Sequence, residues 1–142
     1  MFVRLLLVTA LIAATVATQA AAMAGGLRVF GRLEPQFLNR YPTAVTVVWV
    51  SYLLVPIMID VCLWAAFYYL SGALPTFDDA TYFSIVTFTT VGYGDIVLAK
   101  DWRHVAAFEA INGWIIFGWA TALIMSVIQR LYFRPEVETG KR

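Results

Sequence analysis

Seven consecutive residues, Thr89-Thr90-Val91-Gly92-Tyr93-Gly94-Asp95, hold the clearest chemistry in this chain. Glycines at alternate positions reach backbone angles that residues with side chains avoid. A strand built this way can aim successive carbonyl oxygens at one line, where they replace the water around a dehydrated cation. Gly92 and Gly94 then free the backbone, while Val91 and Tyr93 point away from the line and brace the strand. The competing reading is a glycine turn that follows an apolar strand. The segment lies between two long apolar stretches, where a path for a cation has a use.

Two carboxyls come next, Asp60 and Glu109, each set within an apolar stretch. An ionised and unpaired carboxylate in hydrocarbon costs several kcal/mol, so such a group is paired, protonated or functional. Ser84, Thr87, Tyr82 and the Asn112 amide are the expected hydrogen-bond partners. Two roles compete: a sensor that couples protons to the glycine segment, and a neutral tie between helices, which is the commoner use of such groups. His104 reads as an interfacial residue, with proton sensing as its minor alternative. Cys62 is the only cysteine, which excludes an intrachain disulfide, and it reads as a small buried hydrophobe. There is no Ser/His/Asp set, phosphate loop or cluster of metal ligands, so no enzyme is expected.

These residues must be positioned by helices in a bilayer. Of 142 residues, 61% are hydrophobic and 13% charged, and the mean hydropathy is +0.77. These values describe a membrane protein, and a net charge of +1 gives no reason to expect nucleic acid. Leu5–Ala24, Ala44–Leu70 and Val105–Ile128 each suffice for a span, which needs about 20 apolar residues. Residues 71–104 are too long for a hairpin and too apolar for a free loop. Within them, Thr76 caps a short helix over 77–88, with Asp79 three residues on as its reciprocal partner and both Asp78 and Asp79 suited to the positive helix end. Ile85, Val86 and Thr87 favour strand, so tertiary context must override propensity there.

The glycine segment resembles the selectivity filter of potassium channels residue for residue. From about Ala44 to Leu131 the chain is similar to the small bacterial-type potassium channels with a two-helix pore, here with one extra N-terminal helix. The resemblance implies an all-α membrane protein with an outer helix, a re-entrant pore helix and filter, and an inner helix. It implies a homotetramer in a lipid bilayer, with K+ as permeant ligand and no other cofactor. The K+ sites would be the Thr90 hydroxyl and the carbonyls of Thr90, Val91, Gly92 and Tyr93, with Gly94 completing the filter. Thr89, Asp95 and Tyr82 would support it from behind. Many family members carry paired tryptophans where Tyr82 and Phe83 stand, and some bacterial relatives carry a glutamate at Val86. The cuff here is therefore less polar, although Tyr82 can still reach Asp95. Gly113 lies 19 residues past Gly94, near the family's hinge glycine, with Gly118 as a second candidate; close helix packing is the alternative role.

Topology follows from the resemblance, because the filter faces the external solution in this family. Helix two then starts inside, which makes residues 26–43 a cytoplasmic linker carrying Arg28, Arg32 and Arg40 against Glu34. Residues 44–133 form the pore domain and 134–142 a cytoplasmic tail with Arg134, Lys141 and Arg142. The external linker carries Asp78, Asp79, Asp95 and Asp101 against Lys100 and Arg103, in keeping with the positive-inside rule. Residues 1–25 also look like a secretory signal, with Arg4, an apolar run and Ala22-Met23-Ala24 before Gly25. Cleavage there would invert the filter, so a retained helix with an external N-terminus is expected, in a plasma or bacterial inner membrane. Tyr68, Tyr69 and Trp102 suit the external interface, and Trp49, Tyr132 and Phe133 the internal one. Trp114 and Trp119 lie deeper, as packing or lipid-facing groups. Pro135 should end helix three, with no gating domain after it, and no arginine-repeat voltage sensor is expected. Passive K+ conduction is the leading function. A non-conducting regulatory subunit and a secreted or anchored protein with a cleaved leader are the alternatives.

Overall fold

The computed structural model describes residues 2–133, so the tail at 134–142, with Arg134, Pro135, Lys141 and Arg142, lies outside the described residues. Five α-helices follow in order: α1 (Phe2–Arg32), α2 (Pro35–Arg40), α3 (Pro42–Leu70), α4 (Phe77–Phe88) and α5 (Arg103–Tyr132), the last preceded by a 3-10 turn at Lys100–Trp102. Three of them, α1, α3 and α5, are long and apolar enough to cross a membrane. The chain is an all-α, multi-pass membrane protein.

Prolines punctuate the start of the fold. Glu34 and Tyr41 each precede a proline and leave helical geometry (ψ 139° and 51°), as crowding by the proline ring requires. Pro35 and Pro42 then open α2 and α3, where a missing N–H costs nothing. Pro56 sits inside α3 without ending it. Helix α1 does not stop at Gly25 and Gly26 but continues to Arg32, so the stretch expected as a linker is largely helical.

The turn from α3 into the next element is a Schellman motif. Gly72 takes φ +71°, the Gly72 amide donates to the Tyr69 carbonyl at 3.1 Å, and the Ala73 amide donates to Tyr68 at 2.9 Å. Only a residue free of Cβ crowding takes that left-handed position at low cost. Helix α4 spans the expected residues despite its β-branched run, because its Ala80, Phe83, Ser84, Val86 and Phe88 are buried against α3 and α5.

Two apolar clusters mark the ends of the bundle. One joins Val8 of α1, Val61, Trp64 and Tyr68 of α3, Phe83 and Phe88 of α4, and Val105 and Ile116 of α5. The other joins Phe30, Trp49, Leu53, Leu123 and Val127. Helices α1 and α5 therefore run in the same direction and α3 against them, and the N-terminal end of α1 shares an end of the bundle with α4. Tyr68 and Trp49 were expected at the membrane interfaces, and both are buried instead. Cys62, expected to be buried, faces outward.

Candidate functional site

The site begins with the cap of α4. The Thr76 hydroxyl oxygen accepts the Asp79 amide at 3.0 Å and the hydroxyl donates to the Asp79 carboxylate at 2.7 Å. The reciprocal bond expected from Asp79 thus forms with the threonine side chain. At the other end, the chain leaves α4 but stays tied to it. The Thr90 amide donates to Thr87, while the amides of Val91 and Gly92 both donate to the Val86 carbonyl, at 3.0 and 3.2 Å.

Beyond that anchor the backbone alternates in hand. Thr90, Gly92 and Gly94 have φ of 60°, 55° and 80°, whereas Val91 and Tyr93 between them do not have positive φ. In an ordinary strand successive carbonyls point to opposite sides. Alternation of right- and left-handed residues turns successive amides to one side, and it turns the carbonyls to the other. Among the described residues, no hydrogen bond is accepted by the carbonyls of residues 90–93. Such a row can serve a cation in place of water. Positive φ at a β-branched residue is an outlier, and for Thr90 it costs on the order of 1–2 kcal/mol. The glycines were legible as backbone relief, but this strained threonine was not. Val91 and Tyr93 are 52% and 73% exposed, so most of the surface of each is left uncovered by its own chain.

The outer end of the segment is held by Tyr82, whose hydroxyl donates to Asp95 Oδ2 at 2.6 Å. The Ile96 amide donates to the other carboxyl oxygen at 3.0 Å. The Tyr82 hydroxyl holds the Asp95 carboxyl below its usual range, and the same bond pushes the Tyr82 phenol up. A cavity of about 210 Å³ lies behind the segment, lined by Tyr82, Val86, Asp95, Leu98 and Arg103 among others. Phe83 also lines it, and its ring packs edge-on against Tyr68, with ring centres 5.2 Å apart.

Glu109 lies fully buried where three helices meet. It accepts from the Ser84 hydroxyl of α4 at 2.5 Å and from the Tyr68 hydroxyl of α3 at 2.7 Å. Ser84 also lies 3.0 Å from the Val61 carbonyl, so its single proton faces two acceptors. Helices α3, α4 and α5 are thereby joined at one carboxyl.

Residues 56–130 match the family model for ion channels, more than half of the chain. The chain belongs to the ion channel family. No curated protein and no solved structure matches it. The match begins inside α3 and ends near the foot of α5, so it takes in the helix pair, α4 and the glycine segment. It leaves α1 and α2 of the channel outside.

The remaining expected residues divide between two places. Ser84 is a partner of Glu109, as expected. Thr87 and Tyr82 bond neither carboxyl, and the Asn112 amide donates to Thr15 on α1 at 2.8 Å. Asp60 is not joined to α4 at all: Gln19 of α1 donates to its Oδ2 at 2.9 Å, and its buried Oδ1 has no partner among the described residues. Gln19 and Tyr68 were missed as partners. A lone glutamine in a segment whose other polar residues are all threonines was the available signal for the first. Gly113 of the channel lies against the end of α4, where an added Cβ would overlap the Phe88 carbonyl oxygen. Its bare Cα is therefore required by a close approach, whatever motion it also permits. At Gly118 an added Cβ would meet no atom within 4 Å beyond its own turn of helix.

Proposed function

We propose that this ion channel is selective for potassium and conducts it passively through a pore formed by four copies of the chain. The observation that carries the reading is the alternating backbone of Thr90–Gly94, with carbonyls 90–93 accepting no hydrogen bond among the described residues. In this reading the Thr90 hydroxyl and the carbonyls of Thr90, Val91, Gly92 and Tyr93 stack as ion sites along the axis. Conduction needs binding strong enough to replace hydration and divided over several sites, so that one ion displaces the next. Strain at Thr90 is consistent with this use, since backbone outliers gather where function over-determines them.

Four-fold assembly is supported by what the single chain leaves open. One glycine segment gives one wall of carbonyls, and a closed cage needs several. Irregular backbone at membrane depth is tolerated only where it lines a water-filled cavity or is buried in protein. The exposed Val91 and Tyr93 side chains would find their packing partners on neighbouring copies. The C-terminal end of α4 leads directly into the segment, and its partial negative charge favours a cation there. Tyr82 and Asp95 would hold the external mouth, with the N-terminus also outside and the C-terminus in the cytoplasm of a plasma or bacterial inner membrane.

Reconstitution of the purified chain in liposomes with a potassium gradient tests the reading. A flux that barium blocks, and that disappears when sodium replaces potassium, is the expected result. Absence of flux from well-assembled protein would favour a silent subunit that joins another pore-forming chain. Equal fluxes of the two cations would defeat selectivity while leaving the channel.

A further inference from the structure

Helix α1 lies outside the family match, yet it is not packed as a simple anchor. Its buried seam runs through Val8, Thr15, Gln19, Gly26 and Phe30, spaced alternately by seven and four residues, which keeps them on one helix face. An anchor would need only apolar groups on that seam. Instead Thr15 and Gln19 are 0% and 6% exposed, and polar groups are rare and costly in such surroundings unless paired. Both are paired across helices. Gln19 donates to Asp60 on α3, and Thr15 accepts from Asn112 on α5 while donating to the Ile12 carbonyl of its own helix.

The two partners stand at matching places. Asp60 is followed by Val61, whose carbonyl is bonded by Ser84 of α4. Asn112 is followed by Gly113, which lies against the Phe88 carbonyl at the end of α4. Each grip of α1 is thus one residue away from a contact between a pore-domain helix and α4. Glu109, one turn before Asn112, is bonded to α3 and α4 together. A shift of α5 at Asn112 cannot occur without moving either α1 or the Gly113–Phe88 crossing.

We propose that Thr15 and Gln19 are positioning residues that hold the inner helix α5 and the outer helix α3 in register with α4, so that α1 sets the resting open probability of the channel. The inference rests on the conduction reading above. Ion selectivity and unitary conductance, which depend on the Thr90–Tyr93 carbonyls, should be untouched by α1.

The test uses the full-length protein in planar bilayers, with Thr15→Val, Gln19→Leu, Asn112→Leu and the Thr15/Asn112 pair. An interhelical hydrogen bond in a membrane changes an equilibrium by about threefold, compounded over the assembled copies. Open probability should therefore change by at least about threefold in Thr15→Val and Gln19→Leu at unaltered unitary current. The double variant should match the single ones, because both remove the same bond, and Thr15→Ser should behave as wild type. Amide exchange at residues 110–116 supplies a readout independent of current and should quicken in Thr15→Val. Unchanged open probability and exchange would overturn the proposal. Failure of both α1 variants to assemble, with Thr15→Ser also failing, would make α1 an assembly element and overturn it too. A wild-type chain without current would instead defeat the conduction reading, and unchanged exchange would then decide against α1 separately.

Discussion

Gly113→Ala sets two effects against each other at one position. In a helix interior, alanine is favoured over glycine by about 1 kcal/mol. Opposing this, a Cβ at Gly113 falls 2.8 Å from the Phe88 carbonyl carbon and 3.1 Å from its Cα, with the carbonyl oxygen nearer still. Carbon atoms pack at about 3.5–4.0 Å, so α5 and the end of α4 must part by roughly 1 Å. The obstacle is backbone and cannot swing aside as a side chain would. Overpacking costs typically 1–3 kcal/mol, and a rigid helix end belongs in the upper half of that range, leaving a net loss of about 1–2 kcal/mol. Gly118→Ala is the control, because nothing beyond its own helix turn lies within 4 Å of an added Cβ and only the propensity gain remains. Unfolding of the assembled protein in detergent, followed by helical circular dichroism, compares both variants with wild type. Gly113→Ala should melt below wild type and Gly118→Ala at or above it. A Gly113→Ala protein as stable as wild type would refute the close approach at Phe88.

Three further outcomes test other parts of the site. Tyr82→Phe removes the bond that keeps the Asp95 carboxyl below its usual range. That bond acts above the ordinary carboxylate pKa and is lost as external pH falls through the lowered one. The acid loss of current should therefore begin at higher pH in Tyr82→Phe, and an unmoved acid limb in a pH titration would count against the brace. At the buried carboxyl, Glu109→Gln retains an oxygen for Tyr68 and an amide for Ser84, whereas Glu109→Ala strands the Tyr68 hydroxyl and leaves Ser84 only the Val61 carbonyl. Thermal unfolding should show the alanine variant losing about 2–5 kcal/mol and the glutamine variant much less; equal losses would exclude the three-helix tie. Thr76→Ala removes the cap of α4 and should cost about 0.5–2 kcal/mol, read as faster amide exchange over residues 77–80, with unchanged exchange as the contrary result.

How much of this was legible in the sequence depended on whether the signal was local. Thr76 with Asp79 three residues on gave the start of α4, and the glycine segment gave its end, so its bounds at Phe77 and Phe88 were readable despite the strand-favouring run. Tyr82 with Asp95 was readable once α4 had been placed. Pairings between long helices were not, because a helix that is apolar on every side carries no stripe to show which face turns inward. Tyr68 therefore passed for an interfacial residue and Cys62 for a buried one. Asp60 was matched to partners on α4 and α5, when its donor lies on α1, 41 residues earlier in the chain. Gly25 and Gly26 suggested a helix end, but Phe30 continues the buried seam of α1 beyond them. The strain at Thr90 was hidden because threonine does not announce positive φ as glycine does.

The central claim is that carbonyls 90–93 choose potassium, and a reversal potential tests it most directly. With the purified channel in a planar bilayer and a tenfold potassium gradient balanced by sodium, a potassium-selective pore reverses about 59 mV from zero, the value for one monovalent charge. Reversal close to that potential is the predicted result. Reversal near zero, with sodium carrying current as readily as potassium, would contradict it.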